Sequence, residues 1–340
     1  MNTLRRLGIP LLITSLILVG CNRPLADNCP KDCVGLNLSG RQLNRRDLSQ
    51  TQFMDANLTK AKMVKTNLTE ANLTGAKLVE ANMESAILSN SRLVGADLSF
   101  ANLRNAVMDN TDLSGANLQN VSMIRVDLTS SEMRGVLLRR AELIGCDLSG
   151  VKLSGIEMYE AELSGAILRR ADLNGSVLSL SDFSGASMSG VQITGAWINL
   201  AKLIGADLSY ANLSGTTFFG TDLTGANLAN AKLNGANLVG ANLNGVDLRG
   251  ADLTGAILVL PVPAGMNDTF SYEKLTGSPF ISALNQTEMS RVLTDSRVSE
   301  LTEVQLKPLL KDANLQGVLI DEYTIWPYGF EVPGSAIQQE

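Results

Sequence analysis

The chain has 340 residues, of which 45% are apolar and only 4% aromatic, so a large and mainly aliphatic core is available. It contains no histidine, which removes the commonest general base and imidazole ligand, and with them any Ser-His-Asp or Cys-His site. The net charge of −6 favours solubility and argues against direct binding to nucleic acid phosphates.

The chain opens with Arg5 and Arg6, followed by an uncharged apolar stretch from Leu7 to Val19. That stretch falls short of the roughly 20 residues needed to span a bilayer, and Pro10 weakens it as a helix. Residues 1–20 therefore read as a cleavable export signal. The segment ends in Leu18-Val19-Gly20-Cys21, which resembles a bacterial lipobox. The resemblance implies cleavage before Cys21, lipid on that cysteine, and a lipoprotein held on the periplasmic side of the cell envelope. Several acyl chains on one residue make a stable anchor, whereas one is marginal at about 0.8 kcal/mol per buried methylene. Asn22 stands where lipoproteins retained at the inner membrane often carry Asp, which favours the outer membrane. Loss of the two arginines takes the net charge to −8.

Residues 21–35 are expected to form the tether and an N-terminal cap, with Pro24, Asp27, Asn28 and Pro30 in its polar part. Cys29 and Cys33 are close enough in sequence for a small-loop disulfide in an oxidising compartment; two separate thiols are the other reading. No soft ligands lie nearby to complete a metal site.

From Leu38 to Leu258, every fifth residue is Leu, Met, Phe or Ile, at all 45 positions. A second column runs two residues ahead of it. After Leu36, Arg41, Arg46 and Thr51 it becomes small or β-branched, from Ala56 to Ala256. A period of five fits neither helix nor simple strand. Within each unit, however, the small and large residues are two apart, so both point inward and the residue between them points out. The remaining two residues turn the chain. A chain that turns regularly and stacks on itself is a solenoid. Glycines recur at spacing twenty from Gly75 to Gly255, and again from Gly145 to Gly245. If glycine marks one tight corner per coil, each coil holds four pentads. Residues 36–260 then make a little over eleven coils, a rod roughly 50 Å long at about 4.8 Å per coil.

Units such as Ala71-Asn72-Leu73-Thr74-Gly75 and Ala206-Asp207-Leu208-Ser209-Tyr210 resemble the A-(D/N)-L-x-x consensus of pentapeptide-repeat proteins. The resemblance implies an all-β fold, a right-handed quadrilateral β-helix, to which the sequence adds a small C-terminal cap of helices and loops. Cys146 falls in the small inward column and reads as a buried apolar residue.

The repeats stop at Pro261-Val262-Pro263, and residues 261–340 form a C-terminal region. Residues 261–280 are loop-like. Residues 281–310 gain helical spacing at Ile281, Leu284, Val292, Leu293, Leu301 and Val304, and Pro308 is expected to end that run. Residues 311–340 return to the repeat with Ala313-Asn314-Leu315-Gln316-Gly317. The aromatic tail from Tyr323 to Phe330 is then expected to lid the core.

With twenty residues per coil, outward positions fall into columns. Leu137, Val177, Trp197 and Ile257 share one column that otherwise carries mostly polar residues, and Tyr159, Phe219, Phe100, Leu180 and Leu200 leave the same face or its corner. Such a column marks an interface. Either residues 281–310 fold back over it, or it meets a protein partner or a second copy. A second column holds Glu142, Glu162, Asp182 and Asp222, interrupted by Lys202. Stacked carboxylates offer oxygen ligands to a hard cation or imitate phosphates, although an ordinary solvated face looks the same. Arg139, Arg140 and Arg169, Arg170 are paired at corners, on opposite faces.

The sequence thus points to a non-catalytic, membrane-tethered scaffold with an unidentified protein partner or a homodimer, and with no cofactor, metal or nucleic acid. The family resemblance implies an alternative, a cytoplasmic DNA mimic that protects type II topoisomerase. A divalent-cation-binding surface is a third possibility.

Overall fold

The structure is a computed structural model that describes residues 31–258, 313, 315, 316, 318–320, 323–326 and 337–338. The export signal, Cys21, Cys29 and the helical spacing of 281–310 lie outside the described residues.

From Asp32 to Ile257 the chain pairs with itself in parallel at a constant offset of twenty residues, as in Asn37 with Asn57 and Asn237 with Ile257. One coil is therefore four pentads. The pentad 96–100 shows how each backbone N–H is used. Ala96 donates to Leu93 O at 3.0 Å, closing the preceding turn. Asp97 donates to Ala76 O in the previous coil at 2.9 Å. Leu98 and Phe100 donate to Asn117 O and Gln119 O in the next coil at 2.8 and 3.0 Å. The N–H of Ser99 has no backbone acceptor; it donates at 3.1 Å to Oδ1 of Asp97, two residues back. That bond explains the Asp/Asn preference before each leucine, since those side chains mimic a turn carbonyl. They also connect coils, as when Asn117 Nδ2 donates to Asp97 Oδ1 at 3.0 Å.

The large column is buried throughout the rod, and the small column from Thr51 onward is buried with it. Several polar members of the small column are accommodated by one repeated bond to the carbonyl 23 residues earlier, although Ser91 Oγ is buried without a partner. Thr66 Oγ1 donates to Leu43 O at 2.8 Å, Ser181 Oγ to Met158 O at 2.6 Å, and Thr216 Oγ1 to Ile193 O at 2.6 Å. Cys146 Sγ does the same to Met123 O at 2.8 Å. Burial pushes the Cys146 thiol up to about 11, so it stays protonated.

The coil length agrees with the glycine series, but the reason differs. Left-handed φ is not confined to glycine corners: Lys65 (57°), Phe100 (59°), Leu180 (63°) and Tyr210 (58°) adopt it at the last position of their pentads. What the sequence excludes from that position is any Val, Ile or Thr, whose branched Cβ is least compatible with positive φ.

After Leu258 the coil is taken up again at Ala313, whose N–H donates to Leu258 O at 2.8 Å. This is the turn-closing bond that the first residue of a pentad makes to the leucine three before it. Ala313 thus stands where residue 261 would stand in an uninterrupted array. Leu319 donates to Val246 O and accepts from Leu248 N, each at 2.8 Å, which keeps the same register. Ile325 pairs with Asp252, and Thr324 Oγ1 donates to Leu248 O at 3.0 Å. Strand β1 (Leu319–Ile320) pairs in parallel with β2 (Ile337–Gln338). Leu315 and Val318 are buried and Trp326 packs against the core, whereas Tyr323 is exposed.

Candidate interaction surface

The regular offset turns the sequence columns into physical ones. Leu137, Glu157, Val177, Trp197, Thr217, Asn237 and Ile257 are successive partners in one ladder. The residues two further on, Arg139, Tyr159, Ser179, Asn199, Phe219 and Val239, run beside it. Leu137 is open at 37% exposure, whereas Val177, Trp197 and Ile257 are half-buried. Tyr159 is half-buried beneath the Arg139 guanidinium, 4.3 Å from its ring centroid, and Arg139 Nε lies 3.0 Å from Glu157. Cation–π attraction and an ion pair thus hold the Arg139 side chain against two residues of the next coil.

Phe219 is fully buried, so it offers no open surface to a partner. Its phase within the pentad does point it out of the coil. Its neighbours Thr217, Asn237 and Val239 are at most 5% exposed, and Ser179 and Asn199 are fully buried. Asn199 Oδ1 accepts the Phe219 N–H at 3.1 Å, doing the work of the aspartate that Thr217 replaces. The apolar groups that remain open at this side are Leu137 and, at the corner, Phe100 (59%) and Leu180 (40%).

The acidic residues also form a ladder, in the order Glu142, Glu162, Asp182, Lys202, Asp222. Hydrogen bonding from Ser122, then from Arg104 at 3.1 Å, holds the Glu142 carboxyl below its usual range. Burial pushes Asp182 up, but hydrogen bonds from Ser184 and the nearby Lys202, 3.6 Å away, outweigh it and leave the carboxyl lowered. Asp222 accepts from Thr224 Oγ1 at 2.5 Å and from Asn242 at 3.3 Å. Glu142 and Asp182 are thus stabilised as anions by their own surroundings. Among the described residues, no group of three His, Cys, Asp or Glu side chains is placed to hold a metal ion. Cys33 is buried at the start of the first coil. Arg169 Nε donates to Ser187 Oγ at 2.9 Å, and Arg169 and Arg170 border a shallow depression with Ser149, Ser189 and Asp207.

A family model described as pentapeptide repeats matches the chain in eight copies: residues 32–69, 51–90, 66–99, 91–129, 122–158, 161–197, 186–225 and 221–258. Among solved structures, HetL, a pentapeptide-repeat protein involved in heterocyst differentiation regulation from the cyanobacterium Nostoc sp. strain PCC 7120, is 29% identical; the match covers 66% of this chain and 83% of that one, with a TM-score of 0.16. Rfr23, a pentapeptide-repeat protein from the cyanobacterium Cyanothece 51142, is 23% identical over 54% of this chain and 90% of its own, with a TM-score of 0.24. QnrB1, a plasmid-mediated fluoroquinolone resistance protein, is 20% identical over 53% of this chain and 81% of its own, also at 0.24. Among curated proteins nothing matches.

Proposed function

The chain belongs to the pentapeptide-repeat family, and from that premise we propose that it is a non-catalytic rod, tethered to a membrane through lipid on Cys21, that presents one side to a protein partner. The observation that carries this reading is the long parallel ladder from Asp32 to Ile257, which begins eleven residues after a lipobox-like cysteine. A chain whose pentads send three of their five N–H groups to the adjacent coils, as 96–100 does, is stiff, so it holds a surface at a set distance from its anchor. The apolar residues left open beside the Trp197 column, Phe100, Leu137 and Leu180, are the contacts assigned to the partner. Right-handed winding and closure of the C-terminal end by residues 313–326 belong to the same reading. Trp326 packing on the core and Leu319 in the ladder support the closure.

The acidic ladder supports a DNA-mimicking role poorly. Lys202 stands inside it and Arg104 spans from Ser122 to Glu142, so the stripe of negative charge is broken. A cation-binding role meets the same positive groups.

The test is the Cys21→Ser variant expressed in a bacterial host beside the unaltered chain. The unaltered chain is expected in the membrane fraction, carrying metabolically incorporated fatty acid, and the variant without label and released from the membrane. Equal partition of the two, with no label on either, would remove the tether from the account.

A further inference from the structure

Charge is distributed unevenly along the rod. Residues 31–70, the first two coils, carry seven Lys or Arg against four Asp or Glu, a net of +3. Residues 71–258 carry thirteen against eighteen, a net of −5. The first coil also differs in its small inward column, where it has Lys31, Leu36, Arg41 and Arg46 before the column continues with Thr51, Ala56 and Ala61. Thr51 and Ala61 are buried, whereas Arg41 and Arg46 are half-buried and Lys31 is exposed. Among the described residues this coil has a neighbour on one side only, so long side chains in that column carry their charged heads to water. Two stacked pentads concentrate the charge. Lys62 N–H donates to Arg41 O at 2.8 Å and Arg45 N–H to Val64 O at 2.9 Å, which sets Arg41 beside Lys62 and Arg45 beside Lys65. Neither pentad, 41–45 nor 61–65, contains Asp or Glu, and Arg46 and Lys60 flank them. Arg45, Lys60, Lys62 and Lys65 are all exposed. Lys60 lies 3.5 Å from Glu80, but Arg45, Lys62 and Lys65 are in no ion pair among the described residues.

We propose that this basic patch docks on the anionic headgroups of the membrane that holds the lipid on Cys21. The proposal deepens the tether reading and rests on it for the identity of the surface. Cys21 stands ten residues before Lys31. Ten residues span at most about 35 Å when fully extended, so the anchor keeps this end of the rod close to the bilayer. Charge complementarity selects the same end, because the coils beyond residue 70 are net negative and are repelled by headgroup phosphates. Two coils measure about 10 Å along the rod, which matches the depth of about 8 Å over which a charged surface acts at physiological salt. Attraction at the first two coils and repulsion of the rest stand the rod away from the bilayer, which leaves the Trp197 side clear of lipid.

Lysine footprinting tests it on the full Cys21→Ser chain, which has no lipid of its own, so the result does not depend on the tether. The chain is mixed with vesicles of phosphatidylcholine, alone or with phosphatidylglycerol added, and treated with a water-soluble amine-acylating reagent. Mass spectrometry reads the rate at each lysine. With phosphatidylglycerol, Lys60, Lys62 and Lys65 are expected to react several-fold more slowly, and exposed Lys152, Lys202 and Lys232 at unchanged rates. Salt at about 1 M should abolish the protection. Equal rates with both vesicles, or protection shared by the three distant lysines, overturns the proposal and leaves the charges as a cap on the end of the rod. Charge removal is the second test, with the leader common to every variant. Joint Arg45→Gln, Lys62→Gln and Lys65→Gln is expected to weaken binding to the phosphatidylglycerol vesicles by on the order of tenfold or more, whereas joint Lys152→Gln, Lys202→Gln and Lys232→Gln keeps it. Equal loss in both overturns the proposal, since net charge and not this patch would then be what binds. Failure of lipid labelling at Cys21 with Lys62 still protected would remove the tether and keep the patch; labelling without protection would remove the patch alone.

Discussion

Exchange of Lys65 for glycine is expected to stabilise the rod, and exchange of Gly155 for alanine to destabilise it. Lys65 holds φ 57° at the end of its pentad, while its N–H donates to Glu84 O at 2.9 Å. A side chain in this left-handed conformation costs about 1–2 kcal/mol. Glycine removes that cost but loses about 0.5–1 kcal/mol more backbone freedom on folding. Lys65 is exposed, so little packing is given up, and the balance is a gain of about 0.5–1 kcal/mol. Gly155 has φ +68° with nothing within 4 Å of an added Cβ, so Gly155→Ala meets no clash and isolates the backbone strain. Its expected loss is about 0.5–1 kcal/mol, after the smaller freedom of the unfolded alanine chain is counted. Urea unfolding followed by circular dichroism reads both, as opposite shifts of the midpoint at unchanged slope. Shifts in the same direction, or a lowered midpoint for Lys65→Gly, would refute the claim that these corners demand positive φ whatever residue occupies them.

Leu163 is fully buried in the large column, so Leu163→Ala is expected to cost about 2–5 kcal/mol in the same assay, and Leu163→Asp to prevent cooperative folding by burying a carboxyl without a partner. Cys146→Ser should stay within about 1 kcal/mol of the parent, because Ser176 and Ser181 already make the same bond to the carbonyl 23 residues earlier; native Cys146 should resist maleimide labelling, its thiol being buried and protonated. Asp247 is held low by hydrogen bonding from Arg249, whose Nε lies 2.9 Å from Oδ1, and Asp252 is held low by Thr254 and Asn234 against an opposing effect of burial. A carboxyl lowered in the folded state contributes stability that is present above its unfolded value, 3.8, and is lost as pH falls through the folded one. The midpoint of thermal unfolding should therefore fall on acidification below about pH 4, and Asp247→Asn should flatten that fall; a profile unchanged by Asp247→Asn would contradict the assignment.

The parts of the fold that depend on local repetition were legible in the sequence. The Leu38-to-Leu258 column states the core, and the offset of twenty follows from the glycine series, although Lys65 and Phe100 show that glycine marks only some of the corners that need positive φ. The role of the Asp/Asn position was not read, because it rests on a hydrogen bond two residues away in the same turn, as from Ser99 N to Asp97 Oδ1, and not on exposure. The pairing of Arg139 with Tyr159 and Glu157 was within reach, since twenty and eighteen residues separate them and the columns were already drawn. Phe219 was beyond reach by that route: its phase says correctly that it leaves the coil, but phase carries no information about what comes to lie on top of it. Resumption of the coil at Ala313 was visible as a returning motif, whereas its register became clear only from the bond to Leu258 O.

The account stands most directly on the form of the mature protein, and the intact mass of the chain purified from its own host tests that. A mass lacking residues 1–20 and increased by acyl groups, with fragmentation placing them on Cys21, is the predicted result. A full-length, unmodified chain recovered in the soluble cytoplasmic fraction would contradict it.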